Sequence, residues 1–494
     1  MKTCQIARLL ACFCLTVGMG WNAAIYADNQ TPTVSPVLPD NSLPFDIKIK
    51  VADFSLPVGV QSYIHGIYND KWLIITGRMG GLHGFVNNST NNFPVIEQNT
   101  TVFVIDPIRK QTYTRSLLDP QSGLTQAQVD LLSVTAAQGY QSGKTLYITG
   151  GYGVDSSTGN LNTKNSLTAI DIPGLIHWVT NPSPGETAAQ YIRQIFDNIF
   201  KVTGGYMNQV DFGPTLLIFG HEFNGFYHDP LQVPPVFQQY TEQVRRFNII
   251  DDGVTLSFTP ENPLPSTPDP NYRRRDLNVV PIVKKQHHHK LEFEFAALSG
   301  VFTLTDGIWT VPVEITDQGN PSMADPNLAS TFKQAMNGYD CATFGMFSKH
   351  TGDMYTILLG GMSFGFFAET TNGFVFETDP EIPFISQTTT IRTDKRGKYT
   401  QYFMKDGGFP FIASTTANPG NQLLFGSECE VFFLDRIPRY CNDVIKLDCI
   451  KKRTLIGYIV GGIASTLPNT NTQADSFPST YIFEIYVEPK HCKD

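Results

Sequence analysis

Side chains able to grip a polar ligand gather in two short stretches of this 494-residue chain. GRMGGLHGF carries Arg78 and His83, and GHEFNGFYHD carries His221, Glu222, Tyr227 and His228. Such residues offer hydrogen bonds and an aromatic platform to a ligand such as a sugar. A third stretch, YRRRDLNV, holds Arg275, Asp276 and Asn278. A guanidinium in a low-dielectric setting recognises carboxylates through its fixed fork; the competing reading is an Arg275–Asp276 pair tying two loops together. His65, Tyr206, Tyr339 and Asp340 complete the candidate ligand-binding set.

Sharper motifs fail on their surroundings. Gly361-Met362-Ser363-Phe364-Gly365 matches the G-x-S-x-G elbow, but that motif needs a strand, a tight turn and a helix, and FFAETTNGFVFET after it reads as strand. His287, His288 and His289 look like a metal tract, yet they align with NDK before Trp72, SGK before Leu146 and TGD before Met354, all hairpin turns. His221 and His228 lack a third ligand at metal spacing. There is no phosphate-binding glycine loop, H-E-x-x-H or EF-hand loop. No catalytic residue, metal or cofactor is therefore expected.

The elements that must position the candidates form a recurring cassette. Apolar strands run into glycine at WLIITG (Gly77), LYITGG (Gly150, Gly151), LLIFG (Gly220), FAALSG (Gly300), YTILLGG (Gly360, Gly361) and IGYIVGG (Gly461, Gly462). Each leads through a loop to another strand, plainest in TVFVIDP, LTAIDIP, VRRFNIIDDG and YIFEIYVEP. A self-similar unit of this kind signals a solenoid or propeller. Helix-like inserts are expected at 125–133, 186–200 and 327–338. The last cassette lacks its final strand while FDIKIKV at 45–51 is an orphan, so pairing the two would close a ring and remove a free edge. Six blades result, with a seventh, degenerate one open around 421–435.

An apolar strand ending in Gly-Gly is the central signature of Kelch repeats, and residues 45–492 resemble that family, with Tyr113 and Trp178 as partial counterparts of its aromatic positions. The chain also resembles secreted bacterial Kelch-type proteins in YRRRDLNV, AALSGVF and LIGYIVGGI. The resemblance implies an all-β Kelch-like β-propeller of the galactose oxidase-like superfamily. It places ligands on the face gathering the long connections 78–100, 152–166, 221–242 and 463–479. Galactose oxidase chemistry would need two tyrosines, two histidines and a cross-linking cysteine, of which Cys341 beside Tyr339 is the only suggestion.

The ends and bulk properties add to this. Lys2 and Arg8 before an apolar run, then small residues to Ala27, form a signal peptide over 1–27. Residues 28–44, rich in proline, read as an extended linker. A soluble, exported chain, periplasmic or secreted, is expected, monomeric and without a membrane span. Its formal charge of -9 and lack of a basic block exclude nucleic acid as a partner. Among Cys429, Cys441, Cys449 and Cys492 a disulfide is expected, leaving Cys341 as a buried thiol. The functional expectation is a protein- or glycan-binding module. The alternative, by resemblance to periplasmic sialic-acid epimerases, is a sugar epimerase or mutarotase using acid and base groups at the channel mouth.

Overall fold

The computed structural model describes residues 34–84, 92–210, 213–227, 236–285, 290–304, 307–470 and 472–490. The signal peptide expected at 1–27, His228, His287–His289 and Cys492 lie outside them. The described chain is all-β in a propeller-like arrangement built mostly of four-stranded antiparallel sheets.

Six sheets succeed one another along the chain. Their first strands are Ile64–Tyr68, Gln138–Ser142, Tyr206–Gln209, Val279–Lys285, Ala342–Phe347 and Glu430–Phe433, and all six border one internal space. The second strands, Lys71–Ile75, Thr145–Thr149, Thr215–Ile218, Leu291–Ala297, Met354–Leu359 and Thr454–Val460, carry the recurring apolar runs. These strands run apolar rather than alternating because neighbouring sheets cover both of their faces. The core accordingly divides into clusters between consecutive sheets. Leu73, Val104, Leu146 and Ile148 fill the first interface, and Trp72, Phe103, Phe432 and Tyr458 join the sixth sheet to the first. Deleting one such side chain to alanine costs about 2–5 kcal/mol.

Glycine ends the second strands because the backbone there is left-handed and crowded. Gly150 has φ +62°, and a Cβ on it would sit 1.9 Å from the Val202 carbonyl oxygen. At Gly360, φ is +68° and the distance to the Phe425 oxygen 2.1 Å.

In the sixth sheet Phe45–Val51 pairs antiparallel with the C-terminal strand, Phe45 opposite Pro489 and Val51 opposite Phe483. The Pro-rich stretch before it is partly built in, since Val37–Pro39 pairs parallel with Gln401–Phe403 on the fifth sheet. Residues 421–435 supply the first strand of the sixth sheet and a short strand, Leu424–Ser427, paired with Ile463–Ser465.

The helical expectations need correction. Only Gln126–Asp130 forms, held by a capping box between Thr125 and Gln128. Within 186–200, Ile192–Phe196 is instead the fourth strand of the second sheet, because its backbone satisfies the open edge of Ser166–Asp171. No helix forms at 327–338. The longer helix is Ile172–Thr180, capped by Asp171 with Pro173 in its first turn, so the strand read in LTAIDIP ends at Asp171 in a helix start. Trp178 therefore lies on that helix, not on a strand, beneath the Arg115 guanidinium. No helix among the described residues is long and apolar enough to cross a membrane.

Candidate functional site

At the glycine-bearing end of the sheets the backbone repeats one device. Residues just past each glycine-ended strand bridge antiparallel to the connection entering each sheet: Gln61 with Arg78, Thr135 with Tyr152, Thr203 with His221, Arg275 with Val301 and Tyr339 with Met362. The equivalent pairing in the sixth sheet is Ser427 with Ile463. Each connection then turns through a left-handed residue, namely Ser62, Ala136, Gly204, Asp276, Asp340 or Glu428, with φ between 47° and 63°. Hydrogen bonds link successive turns, with Gly204 N donating to Ala136 O at 3.0 Å, Asp276 N to Gly204 O at 2.8 Å, Glu428 N to Asp340 O at 2.8 Å and Ser62 N to Glu428 O at 3.0 Å.

This frame holds a pocket. Of the sequence candidates, Arg78, His83, His221, Tyr227, Arg275 and Tyr339 line it. Arg275 is 5 % exposed. Its Nη1 lies 3.4 Å from His221 Nδ1, its Nη2 3.4 Å from the Tyr227 hydroxyl, and its Nε 3.3 Å from Asp276 Oδ2. These contacts are long for charge-assisted hydrogen bonds, so the guanidinium keeps donor capacity for a ligand. Arg78 is paired with Glu97 and stands 4.6 Å above the Phe93 ring. His83 packs against Phe93 and Tyr227, each 4.8 Å away. Across the pocket Leu82, Met362 and Ile463 form an apolar wall.

Protonation follows from burial and neighbours. Burial, then the Arg275 and Arg273 charges, push His221 well below the usual imidazole range, so it is neutral. Its Nδ1 is 2.9 Å from Gln238 Nε2, so Nδ1 accepts and Nε2 carries the proton. Burial raises Asp276 to about 6, with Arg275 opposing and Glu428 adding to the rise. Burial likewise keeps the Tyr227 and Tyr339 phenols protonated.

The remaining candidates fall elsewhere. Glu222 alternates to the opposite side of its strand from His221 and pairs with Lys201 at 2.5 Å. His65 lies on the first strand of the first sheet, its ring tilted 38° against that of Phe432 at 4.2 Å, and burial lowers its pKa to about 4. Tyr206, Asn278 and Asp340 line the throat beneath the pocket. Asn278 is spent there, donating to Gly338 O at 2.5 Å and accepting from Cys341 N at 3.0 Å.

Cys429, one of the four cysteines among which a disulfide is expected, is a buried unbonded thiol at the throat, as is Cys341, and Cys449 is unbonded and exposed. Tyr339 reaches Met362 Sδ at 3.6 Å rather than a cysteine. Ser363 is fully buried, donates to Gly365 O at 2.7 Å, and precedes a strand, so it is no nucleophile. No cluster of three or more His, Cys, Asp or Glu suited to a metal exists among the described residues.

Sequence reasoning missed Phe93, Tyr152, Phe223, Met362 and Glu428 as pocket residues. Tyr152 and Met362 occupy the same position after glycine as Arg78 and His221, so aligning the repeats would have found them. Glu428 stands two residues after Gly426 in LLFGSE, at the turn position that Asp276 and Asp340 hold in their own connections, so the same alignment would have found it.

Fold and site together define an all-β, propeller-like protein with a buried-arginine pocket. No family model matches the chain and no curated protein matches it. Among solved structures it is similar to one titled "Structure of YjhT", with a TM-score of 0.42 and 12 % identity, covering 88 % of this chain and 98 % of that one.

Proposed function

We propose that this is an exported, closed six-bladed Kelch-type propeller whose pocket binds a small carboxylate-bearing glycan unit. Closure is supported by Phe45–Val51 pairing with the last strand, by the core cluster joining the sixth sheet to the first, and by Gly462 N donating to Val60 O at 2.9 Å. The observation carrying the ligand class is Arg275, a buried guanidinium with unspent donors facing aromatic rings. A carboxylate completes its hydrogen bonding, and the rings accept the apolar face of a sugar.

Calorimetric titration with N-acetylneuraminate, glucuronate and galacturonate against the matching neutral sugars tests this. Binding of at least one acid but not its neutral counterpart is expected; indifference to the carboxylate sinks the assignment.

A catalytic reading rests on one further feature, the lifted Asp276 sharing the pocket with neutral His221. Such a pair can exchange a proton with a sugar hydroxyl near neutral pH. Acceleration of anomer interconversion in NMR exchange spectra, lost in His221→Gln, is its expected signature, and bound ligand with unaccelerated exchange leaves a binding protein.

A further inference from the structure

Two of the long connections build a structure of their own. Tyr152–Asp155, Asn160–Thr163, His221–Asn224 and Phe237–Tyr240 form a separate four-stranded sheet. Tyr152 and Phe223 from this sheet face the arginine pocket. Asn160, Asn162 and Asn224 from the same sheet line a distinct groove, completed by the short helix at 126–130 and the edge strand of the second sheet.

The groove's chemistry is amide and aromatic. Asn165 and Asn198 add to the three sheet asparagines, and each amide carries both donors and an acceptor. Phe196 on the second sheet's edge strand and Phe237 on the separate sheet's edge strand also line it, at 61 % and 45 % exposure. Lys164 lines the groove while only 6 % exposed. Its ammonium donates to Val154 O at 2.6 Å and Asn162 Oδ1 at 3.1 Å, leaving one of three donors unspent. Burial lowers its pKa to about 8 against the opposing pull of Asp130 and Asp155.

The groove's lining sets two lysines, Lys164 and Lys201, against two carboxylates, Asp130 and Asp155, and Lys201 is further paired with Glu222. A polyanion would find no excess of cations here, and a purely apolar partner would strand the amides without hydrogen bonds. Paired donors and acceptors between exposed rings fit hydroxyl-rich sugar units whose C–H faces stack on phenylalanine.

We propose that this groove is a second ligand site, for a neutral oligosaccharide. It is independent of the arginine pocket and of any ligand bound there.

The test uses the full chain with chitotetraose, cellotetraose, maltotetraose and xylotetraose, followed by saturation-transfer NMR and calorimetry. At least one tetrasaccharide should bind, roughly tenfold more tightly than its disaccharide, a difference worth about 1.4 kcal/mol. Phe196→Ala, at an exposed position that should leave the melting temperature unchanged, should weaken it roughly tenfold. Lys164→Met serves as the second variant and should also weaken it, while Arg275→Ala should not. No binding across the panel, or binding that survives both Phe196→Ala and Lys164→Met, overturns the proposal. Binding that disappears in Arg275→Ala alone reassigns the sugar to the pocket and overturns it equally.

Discussion

The mouth of the channel collects Arg78, Arg275, His83 and His221 among aromatic rings, whereas the throat just beneath it presents Asp276, Asp340, Glu428 and Glu430 with no lysine, arginine or histidine in its lining. Both are built on one repeated backbone. The residue before each left-handed turn, such as Arg275 or Tyr339, faces the mouth, and the turn residue itself, such as Asp276 or Asp340, borders the throat. A single step along the chain thus separates the arginine pocket from the wholly acidic throat, with Asp276 and Glu428 bordering both. The backbone is fixed by hydrogen bonds between neighbouring turns, so side chains there are free to specialise.

The strongest challenge to this contrast is to damage the frame that both regions share. Gly150→Val would force a β-branched residue into positive φ against the Val202 carbonyl, and should lower stability by roughly 3 kcal/mol or more in denaturant unfolding. If stability held, the frame would not be what positions either region. At the mouth alone, Arg275→Ala should weaken sugar-acid binding about a hundredfold, roughly 2.7 kcal/mol, with unchanged denaturant midpoint serving as the control.

The throat should respond to pH rather than to ligand. Burial and Glu428 hold Asp340 well above the usual carboxylate range, and Asp276 is raised to about 6. For carboxyls raised in the folded state, stability is complete below about pH 4, where both states are protonated, and falls as pH climbs through the folded value. Asp340→Asn, whose new residue tolerates φ +47°, should therefore stabilise the protein at pH 8 by roughly 1 kcal/mol and leave it unchanged at pH 4. Equal effects at both pH values would remove the electrostatic distinction. Smallest of all, Glu222→Gln should leave sugar-acid affinity within a factor of about two, because only its neighbour His221 turns inward.

Much of this organisation could be read before any coordinates. Glycine-ended apolar strands located the second strand of every sheet, and the orphan FDIKIKV found its partner in YIFEIYVEP. The inner strands were harder, since Gln138–Ser142 and Tyr206–Gln209 border a channel and carry polar residues that look like loop. Periodicity misled at Ile192–Phe196, where an open sheet edge outweighed a helical apolar face. For the site, Arg78, His221 and Arg275 were legible because charged residues stood beside the repeat's glycines or in its connections. Their aromatic neighbours were not, because Phe93 reaches the pocket through a loop path that no spacing rule encodes, and Phe223, two residues beyond His221 on the same face, needed the strand His221–Asn224 to be recognised first. Glu222 illustrates the converse error, since proximity in sequence to His221 says nothing about which side of a strand a residue takes.

The seven-residue match between Phe45–Val51 and Phe483–Pro489 also has a consequence in time. The two strands stand more than 430 residues apart in the sequence, the widest separation of any pairing among the described residues. Apart from the Val37–Pro39 edge of the fifth sheet, the other sheets are built from nearer chain, so this seam carries the largest loop-closure cost. It is thus the pairing expected to form last in folding, and a chain in which it has not formed shows an unpaired edge open to association.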